Sequence, residues 1–263
     1  KINSKNPYFI YLEDAYRNVR ILPSYLQGSR YISLKEDKFV AKKLPEDYSP
    51  YLNCLQKEKR VIDRDGNLKV NLNQILDPDQ SSDLRSILKR VEKDRWKEVL
   101  QMAFSKQFGN AEIGDYEFQN IDDIQKNLGL STEIYVSSFG TKTDKGLRID
   151  NIYERVELSK FLAQLTKREL PLSVSQPIIL NQEFQIVLPS GKISSFEKKK
   201  KKIESKFGKY FLEVKPKKGE IFIKRFLYIY EQQVTKEEYP QFANFLKEID
   251  NCETTSVEVE LVK

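Results

Sequence analysis

Apolar and polar residues alternate with a period of two along much of this chain, most clearly between Glu183 and Glu231. Phe184, Ile186 and Leu188 alternate with Gln185 and Val187. Tyr210, Leu212 and Val214 alternate with Phe211, Glu213 and Lys215. Successive side chains of a strand point to opposite faces, so this period predicts strands, and Pro189-Ser190-Gly191-Lys192 and Lys217-Lys218-Gly219 supply the turns between them. In the run IFIKRFLYIY, Ile221, Ile223, Leu227 and Ile229 share one face, and Phe222, Phe226, Tyr228 and Tyr230 the other. Two apolar faces predict a central strand covered on both sides, with its aromatics in the core rather than stacked on a base or sugar. The run EKKKKK, from Glu197 to Lys202, reads as a solvated basic approach to the next strand, because like charges repel in packed surroundings.

Earlier in the chain, Asp65-Gly66 lies between two strand-like runs and predicts a hairpin, since both residues tolerate positive φ. Beyond it, Leu68, Val70 and Leu72 alternate with Lys69, Asn71 and Asn73, as in a half-buried antiparallel strand. Further strands are expected at Tyr8–Leu12, in a small hairpin of residues 31–34 and 39–41, and over 111–118, 131–139 and 147–149. Helical spacing of Leu84, Ile87, Leu88, Val91, Arg95, Val99 and Met102 predicts one packing helix over residues 82–107. Ser81 or Ser82 would cap it and Gly109 would end it. A weaker helical pattern covers 153–167. Thr235 with Glu238 forms a capping box for a helix over 235–250, striped by Tyr239, Phe242, Leu246 and Ile249. Thr255, Val257, Val259 and Leu261 then alternate in a last strand. These elements describe an α+β, strand-dominated fold: antiparallel β-sheets or a β-sandwich with two or three packing helices. Three segments follow: 1–45, 46–167 and 168–263, the last boundary marked by Arg168-Glu-Leu-Pro171 and Pro177.

Composition narrows the chemistry. The 263 residues suffice for one large or two ordinary domains. Lys plus Arg is 45 against 39 Asp plus Glu, a net charge of +6 with both signs interspersed. That pattern argues against a dedicated nucleic-acid footprint. No apolar run approaches the roughly 18 residues of a membrane span. The first residue is Lys1, with neither Met nor signal peptide, so a processed chain or an excised fragment is expected. There is no histidine, which excludes Cys/His and Ser/His/Asp catalysis and histidine-ligated zinc within this chain. Cys54 and Cys252 are read as two unrelated free thiols, and neither a cofactor nor a metal is expected.

A family resemblance rests on YLEDAYRN and LPSYLQGSRYISL within Tyr11–Leu34, VIDRDGNL from Val61, DLRSIL from Asp83 and KRELPL from Lys167. It continues with IVLPSGKI from Ile186, FGKYFLEV from Phe207 and GEIFIKRFLYIYEQQVTKEEYPQFANFL from Gly219. In this order the motifs resemble the C-terminal part of bacterial transglutaminase-like proteins, which carry β-rich accessory domains on a papain-like core. The resemblance implies that residues 1–45 are the tail of such a core. It also implies that Asp14 (or its neighbour Glu13) stands where the family has the aspartate that orients a catalytic histidine. The cysteine and histidine would lie upstream. Cys54 is no substitute, because it follows the Asp14 region and has no histidine to activate it. The expectation is therefore a non-enzyme, an accessory region packed on an upstream core of the same polypeptide or on another protein. Its location would be periplasmic or extracellular. The alternative is an independent module that binds protein or an envelope polymer such as polysaccharide or peptidoglycan.

Overall fold

The computed structural model describes residues 9, 11–35, 38–194, 196, 198–253 and 255–261. In chain order these form β1 (Arg30–Lys35), β2 (Lys38–Lys43), α1 (Ser49–Leu52), β3 (Gln56–Ile62), β4 (Leu68–Ile75), α2 (Pro78–Leu88) and α3 (Trp96–Phe108). Next come β5 (Ala111–Gln119), β6 (Gly129–Val136), β7 (Thr141–Thr143), β8 (Gly146–Ile149), α4 (Leu158–Leu162) and β9 (Leu172–Val174). The chain continues with β10 (Ile178–Val187), β11 (Gly191–Ser194), β12 (Lys199–Ser205), β13 (Gly208–Lys217), β14 (Glu220–Ile229) and β15 (Gln232–Val234). It closes with α5 (Tyr239–Cys252) and β16 (Val257–Leu261). With 41% strand and 20% helix, the fold is α+β and strand-dominated.

An eight-stranded sheet in the order β12-β13-β14-β10-β3-β4-β6-β5 organises the molecule. Every pairing in it is antiparallel except the central one, where β10 runs parallel to β3. A four-stranded sheet, β11-β16-β8-β7, lies in the same apolar cluster. Both sheets take strands from either side of residue 167.

Local chemistry explains the well-formed turns. At the β3–β4 hairpin the Asp63 carboxylate accepts from the backbone N–H groups of Asp65 and Asn67 at 2.8 and 2.9 Å. Gly66 takes φ +85°, and a Cβ there would come within 2.6 Å of the Gly140 carbonyl oxygen, so only glycine fits. In β5 the register shifts between Ile113 and Tyr116, and Gly114 at this bulge lies under the Tyr135 ring. The capping box closes as expected, with Glu238 N–H on Thr235 Oγ1 at 3.3 Å and Thr235 N–H on Glu238 at 3.1 Å. Tyr239, Phe242, Leu246 and Ile249 are then buried along α5.

Four expectations are corrected. The single helix over 82–107 is two, α2 and α3, separated by a turn and a short 3₁₀ segment at Lys93–Arg95. Asp77 caps α2 by accepting from Gln80 N–H at 2.8 Å, whereas Ser81 and Ser82 lie buried inside it. The break has no Gly or Pro to announce it. Trp96 folds back so that its indole N–H reaches the Leu88 carbonyl at 2.9 Å, satisfying one end of α2. Ile87 and Met102, expected on the packed stripe, are exposed. Second, β14 is interior in its sheet, but only one face is buried: Ile221, Ile223, Arg225, Leu227 and Ile229. Phe222, Phe226, Tyr228 and Tyr230 face outward half-covered, with the Lys217 ammonium 4.8 Å from the Phe222 ring. Third, Lys199–Lys202 are not an approach but the edge strand β12 itself. Lys199 reaches the Cys252 carbonyl at 2.7 Å and Lys201 pairs with Glu248 at 3.0 Å. Lysines on an edge strand discourage pairing with another chain. Fourth, Phe9, Tyr11 and Leu12 form no strand (Tyr8 and Ile10 lie outside the described residues), and only α4 is helical within 153–167.

The core also holds charge. On the inner face of the sheet, Arg60 and Arg225 are buried on either side of the Phe184 ring, 5.3 and 5.8 Å from its centroid. Arg60 bonds Glu58, the Ile152 carbonyl and both carboxylate oxygens of Glu154. Arg225 bonds Gln182, the Glu154 carbonyl and Glu253. Each guanidinium thus meets several acceptors, the condition under which a buried charge is tolerated.

Candidate functional site

Residues 11–35 and 38–47 form a surface strap of turns and the β1–β2 hairpin, and contribute nothing to the main apolar cluster among the described residues. Polar contacts fasten this segment. Asp14 accepts from Tyr16 N–H at 3.1 Å, from Arg17 Nε at 3.0 Å and from the Ser82 hydroxyl on α2. Arg17, itself buried, extends to Asp79 at 2.6 Å. Asp79 accepts as well from Ser24 N–H at 3.1 Å and from the Tyr51 hydroxyl at 3.0 Å. Burial opposes the Arg17 charge, but Asp79 outweighs it and holds the guanidinium charged beyond its usual range. Burial and the Asp79 charge likewise push the Tyr51 phenol far up, so it keeps the proton it donates. On the far side of α1, Tyr48 donates to Glu231.

Asp14 is therefore a tether. Both its carboxylate oxygens accept donors of this chain. Neighbouring Glu13 accepts from the Tyr11 hydroxyl at 2.7 Å. Cys54 sits where α1 leads into β3, its sulfur 3.2 Å from the Pro50 carbonyl and 3.5 Å from that of Leu76. Burial, with the Asp77 charge, pushes its thiol up to about 12, although the Asn127 amide N–H on the sulfur at 3.3 Å pulls the other way. Cys252 is a second free thiol, buried at the end of α5.

Arg17 and Cys54 meet at a cleft of about 390 Å³ between the strap, α2 and the first half of β10. Its floor holds Gln56 and Gln182, joined at 3.0 Å across the parallel β3–β10 pair. Asp77, Asp79 and Asp83 form one wall, Ile179 and Asn181 the other, and Tyr25 stands at the strap side. Among the described residues no group of three or more His, Cys, Asp or Glu could hold a metal ion. As chemistry, the site offers hydrogen-bonding amides and carboxylates beside a thiol that burial keeps protonated.

Arg17, Tyr51 and Asp79 were missed by the sequence reading, as were the buried Arg60, Arg225 and Glu253. Arg225 had a signal: it occupies the fifth position of IFIKRFLYIY, on the face shared by Ile223 and Leu227. Arg60 stands likewise two residues from Ile62, on a strand whose other face is Lys57, Lys59 and Val61. The strap residues had none, because their partners lie tens of residues away.

A domain-of-unknown-function family with a solved structure, DUF3858, matches residues 149–259, from the end of β8 into β16. Among solved structures the chain is similar to a protein from Parabacteroides distasonis described as a "putative protease", at 17% identity and a TM-score of 0.35. That likeness covers 42% of this chain and only 23% of the other. No curated protein matches. The fold and the family match describe a strand-dominated α+β chain with a segment similar to DUF3858.

Proposed function

We propose that this chain is a non-catalytic accessory region of a transglutaminase-like protein, working in the periplasm or outside the cell. The observation that carries the reading is the state of its candidate catalytic groups: Asp14 is consumed as a tether and the Cys54 thiol is held protonated, in a chain without histidine. The surface for a neighbouring core is the hairpin β1–β2. In its register Ile32 faces Ala41 and Leu34 faces Phe39 on one side. Ile32, Leu34 and Phe39 are 71%, 63% and 78% exposed, an apolar patch beside the basic Arg30–Lys43 pair.

The test has two arms. The purified chain, offered casein and a glutamine-donor amine-incorporation substrate, should show no turnover. A polypeptide carrying both the core and this region should lose activity or soluble yield when the region is deleted, or when Ile32, Leu34 and Phe39 are all replaced by serine. Turnover by the chain alone, or a core indifferent to both changes, would defeat the reading.

A further inference from the structure

β10 outruns the strand beside it. It pairs with β14 from Ile178 to Val187, but with β3 only from Gln182 onward, where Gln56 begins the parallel register. The chain reaches β3 from α1, which packs close to β10, but neither α1 nor residues 53–55 form a ladder with Ile178–Asn181. Successive strand residues turn their N–H and C=O groups to opposite sides, so two of these four residues present both groups to a bare edge. Neither the strand pairings nor the remaining backbone hydrogen bonds give that edge a partner among the described residues. A bare edge is ordinary at the rim of a sheet. Here it lies in the middle of an eight-stranded one and lines the 390 Å³ cleft.

The rest of the cleft sets the sign of what fits. Arg17 is the one cation among the lining residues, and Asp14 and Asp79 already pair with it. Asp77 and Asp83 are left without a cationic partner among the described residues. Burial, and then the charge of Asp79, raises both carboxyls above their usual range. The amides of Gln74, Gln80 and Asn181 also line the cleft and make no side-chain hydrogen bond among the described residues.

We propose that this cleft binds an extended peptide segment bearing lysine or arginine. Its backbone runs in the cleft beside α1, along the unpaired edge of β10, and its cationic side chain meets Asp77 and Asp83. This is strand addition confined to a slot: main-chain hydrogen bonds supply affinity, and the carboxylates select the side chain. A neutral glycan would use neither the strand register nor the negative wall. The proposal is independent of the accessory role, since it concerns a different face from the β1–β2 patch.

The probe is a fluorescein-labelled hexapeptide of alternating valine and lysine, acetylated and amidated at its ends, titrated at roughly 0.15 M salt so that exposed charges are screened. Anisotropy should rise saturably, and hydrogen exchange at the amides of residues 178–181 should slow in the complex. Asp83→Asn, a change at an exposed position, should weaken binding about threefold. The same peptide N-methylated at alternate residues should not bind. Equal binding of the N-methylated peptide or of a valine–glutamate peptide would overturn the proposal. So would binding of a chitooligosaccharide in place of the peptide, or unchanged exchange at 178–181.

Discussion

Removing Glu253 tests whether the buried charges hold the two halves of the fold together. Its side chain is fully inaccessible, and that of Arg225 is 2% exposed. The carboxylate takes three donors: Arg225 at 2.8 Å, the Tyr210 hydroxyl at 2.9 Å and Val156 N–H at 2.9 Å. Glu253→Ala strands all three and leaves the guanidinium with only Gln182 and the Glu154 carbonyl as acceptors. Breaking a buried pair by deleting one partner costs about 3–5 kcal/mol, most of it the penalty of the charge left behind. For comparison, breaking the solvent-screened Lys215–Glu213 pair at 2.7 Å should leave stability almost unchanged. In urea melts followed by circular dichroism, an m-value near 3 kcal/mol/M converts the loss into a midpoint shift of roughly 1 M or more. Arg225→Met combined with Glu253→Leu removes both charges and should recover most of that shift. A Glu253→Ala shift below about 0.3 M, or a double variant as unstable as the single one, would show that the pair is not carrying the desolvation cost assigned to it.

Two further outcomes follow from the geometry. With its thiol pushed up to about 12, Cys54 should be roughly one part in 10⁴ ionised at pH 8, so native-state alkylation by iodoacetamide should run about a thousandfold slower than for a free thiol. A rate at Cys54 matching that of a model thiol would refute the assignment. Replacing Lys200 and Lys202 on β12 by valine should change stability by only about 0.5 kcal/mol, yet bring concentration-dependent light scattering as the sheet edge loses its guards. A variant that stays monodisperse would argue that the edge is protected by something other than lysine.

The elements most legible in the sequence are those whose partners are close along the chain. The β3–β4 hairpin is written in Asp63, Asp65 and Gly66, and the start of α5 in Thr235 and Glu238, because each turn is closed by groups a few residues apart. The break between α2 and α3 was illegible for the same reason reversed: the apolar spacing runs on through it, and the Trp96–Leu88 contact that permits it forms only when the chain doubles back. Asp14 was noticed through a family resemblance. The contacts that it and Arg17 make, to Ser82 and Asp79, reach residues more than sixty positions on.

By itself, then, the sequence determined the strand-dominated class, the local turns and the stripe of α5, since period and composition are properties of short windows. The tertiary structure decided which strands became neighbours. The parallel meeting of β3 with β10 joins residues more than a hundred positions apart, and no local pattern specifies it. From that one register come the Gln56–Gln182 contact, the bare edge at Ile178–Asn181 and the cleft beside it. Burial of Arg60 and Arg225 around Phe184 was decided there too, because a charge is kept in a core only when distant acceptors converge on it.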